Sequence, residues 1–239
     1  MATRRFRFDL PAGTHLGSRY RVVSFLGHGW EGEVYRVTEV PTGITRAAKL
    51  FYPVRNPGNR TLKRYARQLE RLSKCSIVMQ YHHAESLQLD GENVAVMISE
   101  FVEGRRLSQM PRDRRGRQLT PFEGLHLLHT LVSGLEMIHQ AGHYHGDLHS
   151  DNVLIRRVGL AFELKIFDFF HRGRPGRWAQ RDDVIDAVKL FYEVLGGARA
   201  YAGHPAYVRQ ICRGLKHTLI LQRFPNATAL RRHLETFPW

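Results

Sequence analysis

Three short runs, residues 20–26, 33–37 and 45–50, alternate apolar and polar side chains and are separated by glycines or by Pro41-Thr42-Gly43. Alternation at period two buries one face of a strand, so this stretch predicts an antiparallel meander. The period changes over residues 60–72. Leu62, Tyr65, Ala66, Leu69 and Leu72 recur every three or four positions behind Pro57-Gly58-Asn59, which predicts one amphipathic helix. Two more strands are expected at 85–89 and 94–101, joined by Asp90-Gly91, a dipeptide suited to the left-handed backbone of a tight hairpin. Beyond Gly104 the pattern turns helical. Residues 105–120 are basic and turn-rich, and 121–141 carry Leu125, Leu128, Leu131, Val132, Leu135 and Ile138 on one stripe. The short runs 153–155 and 164–167 read as a small hairpin, and 184–195 as a buried helix ended by Gly196-Gly197. The expected fold class is α+β, with a small antiparallel β-rich lobe containing one helix before a larger, mainly helical lobe. The expected divisions are an extension over 1–19, the first lobe over 20–104 and the second over 105–239.

With 239 residues, 43% of them hydrophobic and 24% charged, the chain is long enough to bury a core and too ordinary in composition for general disorder. Its net charge of +14 adds an expectation that composition alone does not: an anionic partner. Nucleic acid, phosphorylated ligands and acidic lipid surfaces all meet that description, because net charge sets long-range attraction without naming its object. Cys75 and Cys212 form no metal-binding or disulfide framework, which points to a reducing compartment, with cytoplasm as the default. Residues 1–10 alternate Arg and Phe without an apolar run, so neither a signal peptide nor a membrane span is expected. The 14 histidines share no Cys/His spacing that suits zinc.

The candidate chemistry lies in four segments. Gly27-His28-Gly29-Trp30-Glu31-Gly32-Glu33-Val34 is G-x-G-x-x-G-x-V between two strands, a turn whose backbone amides can approach phosphate oxygens. A Rossmann reading fails here because strand, not helix, follows the third glycine. Lys49 sits on the third strand, within Ala47-Ala48-Lys49-Leu50. His145-Gly146-Asp147-Leu148-His149-Ser150-Asp151-Asn152 spaces an Asp and an Asn so that a base and a metal ligand share one loop, and Asp168 ends the second strand of the small hairpin.

In this order and these settings, the segments resemble the protein kinase superfamily over about residues 20–197. The resemblance implies ATP and Mg²⁺ as cofactors, with Asp147 as the catalytic base and Asn152 and Asp168 as magnesium ligands. It implies that Lys49 holds the α/β phosphates beneath Gly27, Gly29 and Gly32. It also implies that backbone groups of Glu100 and Val102 pair with adenine, that Leu26, Val34, Ala47 and Leu154 sandwich its ring, and that Ser99 is the gatekeeper. Asp183 is the implied buried anchor of the catalytic loop.

Several positions depart from that pattern. Glu70 is the one acid between Leu50 and Ala84 and so the candidate partner of Lys49, yet the usual helix position counts to Tyr65, and five residues turn a helix by about 140°. Either the register is shifted or the helix supplies no partner. Gly146 replaces a common Arg, and His149 replaces the Lys that follows the base, a feature also reminiscent of aminoglycoside and choline kinases. Residues 169–182 contain no Ser, Thr or Tyr, so phosphorylation there cannot control activity. Phe170 replaces a Gly, and the Ala-Pro-Glu motif is missing. The basic residues Arg105, Arg106, Arg112, Arg114, Arg115, Arg117, Arg172, Arg174, Arg177 and Arg181 suggest docking of an acidic or phosphorylated protein, with nucleic acid less favoured. The expected function is a Ser/Thr protein kinase acting on a protein substrate. A small-molecule kinase and a nucleotide-binding scaffold remain as alternatives.

Overall fold

The computed structural model describes residues 7–159, 161–170 and 176–236. The chain divides into two compact units, Met1–Ser73 with Met79–Val102, and Lys74–Val78 with Glu103–Trp239.

The first unit contains β1 (His15–Leu16), β2 (Tyr20–His28), β3 (Gly32–Glu39), β4 (Thr45–Phe51), α1 (Arg60–Arg71), β5 (Tyr81–Leu89) and β6 (Glu92–Glu100). Its strands form one antiparallel sheet in the order β1-β2-β3-β4-β6-β5. Alternation directs Leu16, Tyr20, Val22, Tyr35, Val37, Ala48, Leu50, Val94, Val96 and Ile98 into a shared core, against which Phe8 and Leu10 pack. The sheet therefore starts before residue 20, and part of the expected extension belongs to it. Helix α1 begins where Asn56, rather than Asn59, accepts a hydrogen bond from the Leu62 amide at 3.1 Å.

A buried carboxylate ties the first described residues to this sheet. Glu33 accepts hydrogen bonds from the amides of Phe8 (3.1 Å) and Asp9 (3.3 Å), from the Tyr52 hydroxyl (3.0 Å) and from the Tyr35 hydroxyl. The Leu10 amide donates to the Tyr35 hydroxyl at 3.1 Å. Burial, reinforced by the bond to Glu33, pushes the Tyr52 phenol up to about 12.

The second unit contains β7 (Arg105–Arg106), α2 (Pro121–Gln140), β8 (Val153–Val158), β9 (Ala161–Ile166), α3 (Arg177–Val194), α4 (Gly197–Tyr201), α5 (Ala206–Cys212), α6 (His217–Arg223) and α7 (Ala227–Glu235). Its strands form a sheet in the order β7-β8-β9. Helix α2 starts at a reciprocal cap: Thr120 accepts from the Glu123 amide, and the Glu123 side chain accepts from the Thr120 amide. Leu131 and Leu135 of α2, with Val188 and Phe191 of α3, belong to the buried core. Residues 74–78 join this unit because α2 admits them closely. A β-carbon on Gly134 would lie 2.1 Å from Ile77, and Val78 bridges to Ile166. The two units reproduce the expected α+β organisation, an antiparallel sheet with one α-helix and then a mainly helical unit. Helix α3 starts at Arg177 rather than 184, since the polar stretch before Val184 carries no apolar periodicity to mark it.

Candidate active site

In the first unit the Gly-rich segment is a tight turn between β2 and β3. The Gly29 amide donates to the Gly32 carbonyl at 2.9 Å and closes it. Its glycines serve different ends. A β-carbon on Gly32 would lie 1.9 Å from the Leu50 carbonyl oxygen, so close strand approach excludes any side chain, whereas a β-carbon on Gly29 would meet nothing within 4 Å. Gly29 thus leaves the turn backbone open, as a phosphate-binding turn requires.

Register places Lys49 opposite Val34 on β3 and opposite Met97 on β6. The Lys49 ammonium lies 2.8 Å from the Glu31 carboxylate, 4.8 Å from the centre of the Tyr65 ring and 5.3 Å from that of Phe51. This corrects the expectation for Glu70, which is exposed at the far end of α1. The helix position facing the lysine is indeed Tyr65, and the helical rotation over five residues carries Glu70 onto the solvent side. Glu31, inside the Gly-rich turn, is the carboxylate that sequence reasoning missed. Its signal was an acid between the second and third glycines.

The remaining residues expected at the base are positioned by β4 and β6, where Ala47 pairs with Ser99 and Arg46 with Glu100. Ala47 and Ser99 are buried, Val34 and Val102 half-buried and Leu26 exposed. The Ser99 hydroxyl donates to the Met79 sulfur at 3.4 Å. The Gln80 amide donates to a Glu100 carboxylate oxygen at 2.8 Å, and the Glu100 amide donates back to the Gln80 carbonyl at 2.9 Å, so the strand end is held from both sides.

In the second unit Asp183, fully buried on α3, organises the loop of residues 145–152. Its carboxylate accepts the His145 amide at 2.7 Å and the Gly146 amide at 2.8 Å, and its Oδ2 lies 2.9 Å from His139 Nε2. Asp183 therefore occupies its expected place as anchor, and His139 is an additional partner that the motif did not reveal. His145 donates from Nε2 to the Phe167 carbonyl at 2.9 Å, while its Nδ1 accepts the Asp147 amide at 3.3 Å. That tautomer is neutral, and complete burial pushes the imidazole below its usual range.

Past this anchor the chain brings Asp147, His149 and Asn152 together. Asn152 Nδ2 donates to the Asp147 main-chain carbonyl at 2.9 Å and lies 3.4 Å from its Oδ2 and 3.0 Å from His149 Nε2. The Asp147 carboxylate is half exposed, 3.5 Å from His149. A buried Asn thus fixes the backbone of an exposed Asp, an arrangement that presents one carboxylate to a substrate without burying its charge. Leu154 follows, half-buried on β8, and the exposed Asp168 follows β9 with a left-handed backbone (φ 58°). Phe169 packs its ring 4.7 Å from that of His145, and the Phe170 amide donates to the His145 carbonyl at 2.8 Å. The segment after Asp168 is thereby tied to the loop that starts at His145.

The expected basic surface is partly neutralised within itself. Asp113 accepts from the amides of Arg115 and Arg117 and from the Arg117 guanidinium. Arg172 and Arg174 lie outside the described residues. Among the described residues no cluster of three His, Cys, Asp or Glu side chains is arranged to hold a metal, and no helix is long and apolar enough to cross a membrane.

The family model described as "Protein kinase domain" matches residues 20–174. Serine/threonine-protein kinase pkn2 of Myxococcus xanthus is 31% identical over 162 residues, 66% of this chain and 19% of its own length. The titin homolog of Caenorhabditis elegans is 32% identical over 158 residues, 64% of this chain and 1% of its own length. This chain spans less than half the length of the curated relatives it matches. Among solved structures, the PknI kinase domain of Mycobacterium tuberculosis superimposes with a TM-score of 0.68 over 95% of this chain and 97% of its own, at 21% identity, a likeness of fold.

Proposed function

The chain belongs to the protein kinase family, and from that premise we propose that it transfers the terminal phosphoryl group of ATP, with Mg²⁺, to Ser or Thr hydroxyls of a protein substrate. The observation that carries this reading is the loop from His145 to Asn152, where a buried anchor holds the main chain and an exposed carboxylate is left at its tip. Asp147 is the base that orients the acceptor hydroxyl and takes its proton. His149, beside it, replaces a lysine and offers a weaker positive electrostatic contribution near the transferred group.

The donor chemistry fits magnesium: Asn152 keeps Oδ1 as its remaining hard oxygen once Nδ2 is engaged, and Asp168 adds an exposed carboxylate. Two protein oxygens suit an ion that shares its coordination with phosphates. When bound, Mg²⁺ neutralises charge developing on the phosphate oxygens. Lys49 holds the α/β phosphates beneath the turn of Gly27, Gly29 and Gly32. Leu26, Val34, Ala47 and Leu154 cover the adenine, and backbone groups of Glu100 and Val102 pair with its edge.

Control by phosphorylation within 169–182 is excluded by composition, since no hydroxyl residue is present. The enzyme is therefore constitutive or governed by a partner, and the arginines of the second unit are the place for an acidic or phosphorylated one. Cytoplasm suits its cysteine usage.

The test is incubation with radiolabelled ATP and Mg²⁺ of the protein beside Asp147→Asn, scoring label on the protein itself, on basic proteins and on small molecules. Protein label abolished by Asp147→Asn is the expected result. Label confined to small molecules would transfer the reading to a small-molecule kinase, and absence of any variant-sensitive label would leave a nucleotide-binding scaffold.

A further inference from the structure

The helix that supplies the lysine's acidic partner elsewhere in the family supplies none here. Helix α1 carries Arg60, Lys63, Arg64, Arg67 and Arg71, presents Tyr65 to Lys49 and leaves Glu70 in solvent. A carboxylate nonetheless reaches the ammonium. Glu31 Oε2 lies 2.8 Å from Lys49 Nζ, while Glu31 Oε1 lies 3.7 Å from the Arg64 guanidinium. The lysine side chain is 12% exposed and that of Glu31 28%, so the pair is partly shielded from the solvent that weakens surface ion pairs.

We propose that Glu31 is the positioning residue for Lys49, holding its ammonium in the direction from which it engages the nucleotide phosphates. This rests on the assignment of Lys49 to the phosphates made above. The rings of Tyr65 and Phe51 flank the ammonium but form only soft walls, because a cation slides over a ring face at little cost. A charge-assisted hydrogen bond is directional. The residue that makes it is itself held. The neighbouring Trp30 ring lies under the Arg55 guanidinium at 3.4 Å, and the Gly29–Gly32 hydrogen bond closes the turn. Consequently the turn that covers the phosphates and the lysine that grips them form one coupled device. Its alignment does not wait for α1 to bring in a carboxylate.

Steady-state labelling of histone from ATP, ATP hydrolysis without acceptor and the Kd of mant-ATP with Mg²⁺ are measured for wild type, Lys49→Met, Glu70→Gln, Glu31→Gln and Glu31→Gln with Tyr65→Glu. The expected result is that Glu31→Gln keeps the wild-type thermal transition and lowers kcat by about 100-fold, the scale of a misaligned catalytic group, with a change in mant-ATP Kd smaller by an order of magnitude. Adding Tyr65→Glu, which returns a carboxylate from the helix side, recovers about tenfold of that loss, whereas a merely structural defect would not be rescued so. Wild-type or raised kcat in Glu31→Gln, with Lys49→Met inactive, overturns the proposal and leaves the assignment of Lys49 standing. The same holds if Glu70→Gln loses more than Glu31→Gln. Full binding and turnover in Lys49→Met would remove that assignment itself, and the proposal with it.

Discussion

Gly146 stands where the family commonly has an arginine, and its surroundings explain why. Its φ is +81°, and a β-carbon would lie 2.5 Å from the Phe170 carbonyl oxygen and 2.9 Å from the Tyr144 ring. Gly146→Ala is expected to cost about 2 kcal/mol or more, read as a lower urea midpoint in chemical denaturation, because it combines left-handed strain with a clash against backbone. One residue earlier, His145 makes stability depend on pH. Its folded-state pKa is depressed, so as pH falls through the unfolded value of about 6.5 the unfolded chain binds a proton that the buried imidazole refuses. Stability is thus present above that value and lost below it. Melting temperatures taken between neutral pH and about pH 5 should fall for wild type and fall less for His145→Gln. His82 and His233, also depressed by burial, give the same sign in both proteins, and the difference isolates His145. At this scale the meeting of Asp147, His149 and Asn152 was legible, because one short loop carries all three and sequence spacing survives folding. Glu31 was not, since the side chain that meets a lysine depends on which turn lies over the strand.

The loop of residues 145–152 owes its shape to an element distant in sequence. Asp183 on α3 receives two loop amides, and Asp183→Ala strands both of them and removes the polar partner of His139. Loss of a buried, multiply bonded carboxylate is expected to cost about 3–5 kcal/mol, measured as a fall in thermal stability together with abolished turnover. Asp183→Asn retains one acceptor oxygen and is expected to lose less. Among the elements, the hairpin β5–β6 and helices α1 and α2 were legible from period and turn residues. The beginning of α3 was hidden because Arg177 to Asp183 is polar and shows no apolar stripe, although Asp183 itself ends fully buried. A periodicity argument sees apolar burial and is blind to a buried charge. The reciprocal Thr120–Glu123 cap was present as Thr-Pro-Phe-Glu and marks the start of α2 with a mechanism that hydrophobic spacing lacks.

For the whole molecule, the net charge of +14 already subtracts the carboxylates that engage Arg117, Arg156 and Arg231, so the basic excess open to an anionic partner falls on other cations. The two-unit organisation was legible from the change of period near Gly104, but residues 74–78, which lie before it in sequence, fold with the second unit. No local pattern announces such an exchange, since it depends on the close approach at Gly134. The carboxylate of Glu33 carries a last consequence, for anyone who shortens this protein. A version started at residue 20, where the family match begins, would lack the Phe8 and Asp9 amides on Glu33 and the Leu10 amide on Tyr35. An interior acid deprived of donors costs about 1–3 kcal/mol for each bond not replaced by water. The shortened protein is expected to melt several degrees below one started at residue 7, as a paired thermal scan would record, so the edge of a recognisable resemblance is a poor place to cut.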